Sequence, residues 1–291
     1  MNLDNTEFES QLKKTLARFL FHDENQTPKN LAESIQYSLL SPGKRIRPRV
    51  TFACAEMLGL PSKTVLSAAL ALEMTHCFTL IHDDLPCMDN DDYRRGLLSN
   101  HKKFGEGLAL LAGNGLMALA VDVLLDSPVE PTSLLLGIKQ LIQAMGPRGV
   151  VGGQAAEALL TPSSTLEDLR KMHHQKTGAL FKAALLIPKE FAGISDFTPL
   201  GQAILSFSDA LGFAFQIADD LEDAQEKNQQ TSPTSILSYL SPQKSAQLAS
   251  DELTSTSHLL MEHWGSKAHS LKEISTEVLI KITHALGDFT G

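Results

Sequence analysis

Apolar residues recur at steps of three and four along most of the chain, and no stretch alternates apolar and polar residues with Val, Ile, Thr and aromatics in the manner of a strand. This period predicts helices over 5–21, 28–40, 48–58, 62–82, 106–125, 132–145, 151–160, 165–185, 199–224, 241–263 and 267–287. The abundance of Leu, Ala, Glu, Gln and Met supports the same reading of a nearly all-helical chain. Turn residues fall between these segments, as at Ser41-Pro42-Gly43, Leu60-Pro61-Ser62, Gly146-Pro147 and Thr161-Pro162. No internal repeat or low-complexity tract is visible, and the most polar stretch, from Ala224 to Pro233, reads as a surface loop.

Composition narrows the class. With 291 residues, 43% of them hydrophobic and 20% charged, the chain falls among compact globular proteins. Its length allows about two domains, but the even helical pattern is read as a single domain over 1–291. The 34 acidic residues outnumber 25 basic ones, leaving a net charge of -9, and no basic stripe could neutralise a nucleic-acid backbone. Cys54, Cys77 and Cys87 show no C-x-x-C spacing, which suits free thiols in a reducing, cytoplasmic compartment. The polar, acidic start has no signal-peptide pattern. Leu108 to Leu125 is the most apolar stretch, but Asn114, Asp122 and two glycines interrupt it, so a buried core helix is expected there and no stable membrane insertion.

The chemistry concentrates in two acidic runs. His82 to Gly96, HDDLPCMDNDDYRRG, gathers Asp83, Asp84, Asp89, Asp91 and Asp92 after an apolar helix. Carboxylates so close raise one another's pKa unless a cation compensates, and Mg2+ favours a few carboxylates with water and phosphate oxygens. Arg94 and Arg95 offer planar forks for phosphate. Taken alone, the run reads equally well as a solvated acidic loop balanced by those arginines. The second run, FQIADDLEDA, carries Asp219, Asp220, Glu222 and Asp223 at the expected end of a helix, where the macrodipole makes negative charge unfavourable without a cation. Asp219 and Asp223, four apart, share one helical face.

These runs, together with SPGKRIRP, GGQAAEA and HHQKTGAL, resemble the short-chain trans-prenyl diphosphate synthases, especially the bacterial farnesyl diphosphate synthases. The resemblance spans about Ser41 to Asp223 with the motifs in order. It implies an all-α isoprenoid synthase-type bundle of antiparallel helices around a central cavity, usually in a homodimer. It further implies that Asp83, Asp84 and Asp89, with Asp219 and Asp223, bind three Mg2+ ions on an allylic diphosphate, Asp220 supporting them. Gly43, Lys44, Arg47, His76 and Arg95 match the positions for isopentenyl diphosphate, and Arg94 matches the allylic side. Lys176, Thr177 and Gln216 match residues that reach the diphosphate or stabilise the cation, with Gln154 near them. Phe78, five residues before Asp83, resembles the aromatic floor that limits the product to fifteen carbons. His82, His173 and His174 are read as supporting helix residues.

The implied activity is the joining of isopentenyl diphosphate to dimethylallyl and then geranyl diphosphate. A non-catalytic partner subunit, a terpene cyclase, and a synthase of geranyl or geranylgeranyl diphosphate are the competing readings. The first draws support from the loop after Asp223, which lacks glycine, has Lys227 as its only cation and has no lysine before Thr234. Pro42, Glu157 and the C-terminal HALGDFTG also depart from the family pattern.

Overall fold

The computed structural model describes residues 5–21, 27–226 and 232–287. It is all-α apart from one two-stranded hairpin. The chain divides into two compact units: residues up to Phe52 with Pro61–Val129, and Ala53–Leu60 with the chain from Glu130 onward.

The first unit holds α1 (Asn5–Phe21), α2 (Lys29–Leu39), the opening turns of α3 (Ile46–Leu58), α4 (Ser62–Asp83), the hairpin of β1 (Tyr93–Arg94) and β2 (Leu97–Leu98), α5 (Asn100–Phe104) and α6 (Glu106–Leu125). The amphipathic α1 buries Phe8, Leu12, Leu16 and Leu20 at a four-residue spacing. The ring of Phe8 meets Phe52 edge-on at 6.3 Å. α4 is apolar on nearly all sides and packs extensively on α6.

The expectation of a buried helix at Leu108 to Leu125 is met on one face only. Ala109, Ala112, Leu116, Ala120 and Val123 are buried, while Leu110, Leu111 and Leu125 lie on the surface. The reason is that α6 is apolar all round, while the elements of its own unit cover one stripe of it. α4 and α6 are both long and apolar enough to cross a membrane by length and composition alone.

The second unit contains α7 (Pro131–Met145), α8 (Val150–Glu157), α9 (Leu166–His173), a π-helical turn over His174–Gly178, α10 (Ala179–Phe191), α11 (Pro199–Glu226), α12 (Pro242–Trp264) and α13 (His269–Gly287). α10 packs on α7 and α11, and α11 packs in turn on α12 and α13.

The single helix expected over 165–185 is three elements, and the last runs on through Pro188 to Phe191. Proline there removes one backbone bond, but nearly the whole of α10 is buried, and burial outweighs the local break. Lys189, 1% exposed, gives its ammonium to the carbonyl of Ile194 at 2.9 Å and pairs with Asp196 and Glu190.

The π turn carries Lys176 and Thr177, and small residues let its neighbours approach. A Cβ on Gly153 of α8 would overlap the backbone nitrogen and Cα of Lys176, and one on Gly212 of α11 would meet Gly178 Cα at 2.7 Å. Both are collisions with backbone, which cannot swing aside as a flexible side chain does. Gly153→Ala is therefore expected to destabilise the protein by about 1–3 kcal/mol. Urea unfolding checks this, and an unchanged midpoint would mean that α8 and the turn are not in tight contact.

Candidate active site

α4 ends at Asp83, three residues ahead of Pro86, which disfavours helical backbone before it. The chain then closes a short loop in which the Asp89 N–H donates to the Asp83 carbonyl at 2.8 Å and the Asn90 N–H to the Leu85 carbonyl at 3.1 Å. Asp83 and Asp89 are thus neighbours despite the four residues that separate Asp84 from Asp89.

The hairpin follows, its turn made by Arg95 and Gly96 with φ of 53° and 77°, the pair of positive values that a tight two-residue turn requires. It returns Arg94 to the helix end. Arg94 Nε and Nη2 donate to Asp84 Oδ1 at 2.8 and 2.5 Å, and Nη2 also donates to Asp91 at 2.8 Å. Asp84 is 2% exposed; burial pushes its carboxyl above the usual range, with Arg94 opposing. Burial also works against the charge of Arg94, but the hydrogen bond and charge of Asp84 prevail and its pKa is raised. Asp92 pairs with Lys102 at 2.7 Å.

A cluster of basic side chains lies in the same unit. Arg45 sits at φ 47° and is buried, with its guanidinium donating to Glu73 at 2.5 Å, Glu9 at 2.7 Å and the carbonyls of Leu39 and Ser41. Sequence reasoning missed this pair. The signal was Glu73 itself, a lone carboxylate inside an apolar helix, which needs a buried cation. Arg45 pins the loop that carries exposed Lys44 and leads into α3, whose second residue is buried Arg47.

Gly43 leaves room in that loop for Arg95: a Cβ there would fall 2.9 Å from Arg95 Nη1, and that same nitrogen donates to Ser41 Oγ at 3.3 Å. His76 faces the group from α4. Burial first, then the positive charges of Arg47, Arg95, Arg45 and Arg94, hold its imidazole well below its ordinary pKa, so it is neutral. Of the residues matched to isopentenyl diphosphate, the structure brings Arg47 and Arg95 into charge interaction with His76, and Gly43 against Arg95. Phe78, two residues further along α4, is buried with its ring edge-on to His82 at 5.8 Å, and His82 Nε2 lies 3.2 Å from the Leu110 carbonyl.

In the second unit, α11 runs on to Glu226, so Asp219 lies nearly two turns from the helix end. The dipole argument therefore reaches only Asp223, because the effect fades within the last turn. The charge beside Asp219 comes from Lys281 of α13, at 2.5 Å from Asp219 and 2.9 Å from Glu222. Burial disfavours the ammonium, but the two carboxylates outweigh it and raise its pKa. Nothing near the aspartates in sequence signals this lysine.

On the inner side of α11, Thr177 Oγ1 donates to Gln216 Oε1 at 2.5 Å, Gln216 Nε2 donates to Asp220 Oδ1 at 2.8 Å, and the Ile236 N–H donates to Asp220 Oδ2 at 2.7 Å. Burial raises the Asp220 carboxyl, with His173 and these hydrogen bonds opposing. Lys176 is ion-paired with Glu157 of α8, where Gln154 keeps Oε1 buried without a partner among the described residues. His173 Nε2 bonds the Thr234 carbonyl at 2.8 Å, and His174 lies 3.8 Å from Asp209. Lys227 and Asp288 to Gly291 lie outside the described residues.

The acidic oxygens of both units suit a hard cation such as Mg2+, and Arg94 and Lys281 already place positive charge on them. Among the described residues no three His, Cys, Asp or Glu side chains form a closed cage. Bound Mg2+ would therefore complete its shell with water or phosphate oxygens.

The profile of the polyprenyl synthetase family matches residues 28–235. The chain is 36% identical over 211 residues to geranylgeranyl pyrophosphate synthase 4 of Arabidopsis thaliana, a match covering 71% of this chain and 56% of that protein. It thus spans little more than half the length of such curated relatives. Among solved structures it resembles an FPP/GFPP synthase from Zymomonas mobilis, with a TM-score of 0.81 and 30% identity over 94% of this chain and 98% of the other. It also resembles a geranyltransferase from Legionella pneumophila, with a TM-score of 0.83 and 30% identity over 96% of each chain. These neighbours share the all-α isoprenoid synthase fold.

Lys281→Met leaves Asp219 and Glu222 without their ammonium. In a chelator it should lower stability by about 0.5–1 kcal/mol, a modest figure because both carboxylates are half exposed and screened. Added Mg2+ should narrow the gap. Because the lysine's pKa is raised on folding, its contribution is complete below about pH 10 and is lost as pH climbs through the folded value. Thermal melting with and without Mg2+ checks this; equal midpoints for variant and wild type in the chelator would show that the pair contributes nothing.

Proposed function

The chain belongs to the polyprenyl synthetase family, and from that premise we propose that it is a prenyltransferase joining isopentenyl diphosphate to dimethylallyl and then geranyl diphosphate, with farnesyl diphosphate as its product. The observation that carries the reading is the pairing, in one unit, of a carboxylate cluster at the end of α4 with a cluster of positive charge, Arg47 and Arg95, around His76. A cyclase on this fold ionises one diphosphate and has no need of a second cationic cluster. A condensing enzyme must hold two.

Asp83, Asp84, Asp89, Asp219 and Asp223 would hold Mg2+, three ions by the family resemblance, which supplies Lewis-acid neutralisation of the leaving diphosphate. The protein's own groups do the rest. Arg94, shared between Asp84 and Asp91, offers its fork to the allylic diphosphate. Lys44, Arg47 and Arg95 hold the isopentenyl diphosphate, while neutral His76 donates a hydrogen bond without adding another charge. The oxygens of Thr177 and Gln216, with Lys176 beside them, present dipoles to the allylic cation. The homoallylic double bond attacks at the effective concentration of a prearranged pair. The departing diphosphate then takes the proton, so no histidine base is required.

Buried Phe78 supports a fifteen-carbon product, since a longer tail would press on a packed ring at an overpacking cost of about 1–3 kcal/mol. The geranylgeranyl names of the plant relatives favour the competing twenty-carbon product. The apolar outer stripe of α6, with Leu110, Leu111 and Leu125, is read as the face of a homodimer rather than a membrane contact, and the free thiols suit a cytoplasmic setting.

Incubation with Mg2+, isopentenyl diphosphate and geranyl diphosphate should yield a chelator-sensitive fifteen-carbon diphosphate. Asp83→Ala should lower kcat by roughly a hundredfold or more. Arg47→Ala should instead raise the KM for isopentenyl diphosphate by about tenfold or more while leaving the KM for the allylic substrate nearly unchanged. Equal losses in both parameters for the two variants would undo this division of roles. Phe78→Ala should shift products toward twenty carbons and beyond, as read by chromatography; an unchanged product length would remove Phe78 as the floor.

A further inference from the structure

We propose that Asp220 is a positioning residue, which sets the orientation of the Gln216 amide and through it the Thr177 hydroxyl, and is not a metal ligand like its neighbour Asp219. The inference rests on the reading above that Thr177 and Gln216 face the allylic cation.

Adjacent residues on a helix point about 100° apart. Asp219 turns outward with Asp223 and meets Lys281, its side chain 42% exposed. Asp220 turns inward with Gln216, four residues before it, and is 8% exposed. Both of its oxygens are engaged in the protein, Oδ1 by Gln216 Nε2 and Oδ2 by the Ile236 N–H.

A carboxylate only accepts, whereas a primary amide donates from one end and accepts at the other. Asp220 therefore draws the NH2 of Gln216 toward itself and turns Oε1 toward Thr177. The Thr177 O–H donates to that oxygen at 2.5 Å, which leaves the lone pairs of the hydroxyl oxygen for the substrate side. The chain of bonds is polarised in one direction from the buried negative charge, so each oxygen is a better partner for developing positive charge. With the amide reversed, an N–H dipole would face Thr177 and its hydroxyl would point elsewhere.

Asp220→Asn tests orientation rather than anchoring. The asparagine oxygen can still accept from Ile236, but its NH2 then confronts the NH2 of Gln216 and forces that amide to reverse. We expect kcat to fall by about tenfold or more, with the KM of both diphosphates and the Mg2+ concentration for half-maximal rate within about twofold. Asp219→Asn, by contrast, should raise the Mg2+ requirement. The exchange Gln216→Glu with Asp220→Asn recreates all three hydrogen bonds and should recover most of the rate. Gln216→Glu alone, with two carboxylates face to face, should be slower than the double variant, a comparison that holds even if Asp220→Asn folds poorly.

Unchanged kcat in Asp220→Asn, a shifted Mg2+ requirement matching that of Asp219→Asn, or a double variant no faster than either single one would each overturn the proposal. The Gln216 side-chain amide resonances, assigned by their loss in Gln216→Glu, should move in Asp220→Asn whether or not the protein turns over. Unmoved resonances overturn the proposal independently of the functional reading, which fails separately if wild type makes no condensation product.

Discussion

Negative charge held in a small space is the constraint on which both units depend. At the end of α4 it is met by Arg94, which bridges Asp84 and Asp91, and by Lys102 on Asp92. On α11 it is met by Lys281, between Asp219 and Glu222. Without these cations the carboxylates would repel one another. With them the acidic groups sit close together in the free protein. Binding of metal and diphosphate in the proposed reaction would then exchange one counter-charge for another.

The cluster of positive charge is supported in the opposite manner, by a buried anion. Glu73 sits inside apolar α4 and holds Arg45, which ties α1 and the end of α2 to the loop between Ser41 and Arg47. Removing one member of such a buried pair strands a charge, at a typical cost of about 3–5 kcal/mol. Arg45 need not touch a substrate to matter for one: its left-handed backbone and fixed guanidinium decide where Lys44 and Arg47 point. His76 then stays neutral because it is partly desolvated among cations. The second unit uses neutral packing for the same purpose. Gly153 and Gly212 let two helices close on the π turn, and the chain from Asp220 through Gln216 gives Thr177 its direction.

Much of this was legible in the sequence, because helical period and Pro or Gly punctuation are local signals. The long helices from Ser62, Glu106 and Pro199 fall where the pattern puts them, and the aspartates, Lys44, Arg47, His76, Arg94 and Arg95 are marked by motif alone. The misses share a cause, since each depends on contacts the local pattern does not carry. The helix expected to end at 185 runs on through Pro188, because nearly all of α10 is buried. The π turn is hidden within what reads as one helix, because its small neighbours lie on α8 and α11. The two-residue strands from Tyr93 to Leu98 are too short to show alternation.

The sequence by itself determined the all-helical class, the family and the kinds of chemical group available, since these follow from periodicity and residue identity. Only the tertiary structure decided the partners: Arg94 on Asp84, Glu73 on Arg45, Lys281 on Asp219 and Gln216 between Thr177 and Asp220. The physical reason is that charge and hydrogen-bond orientation act over a few ångströms in space, and residues 62 apart in the chain, such as Asp219 and Lys281, reach that range only once the helices have packed.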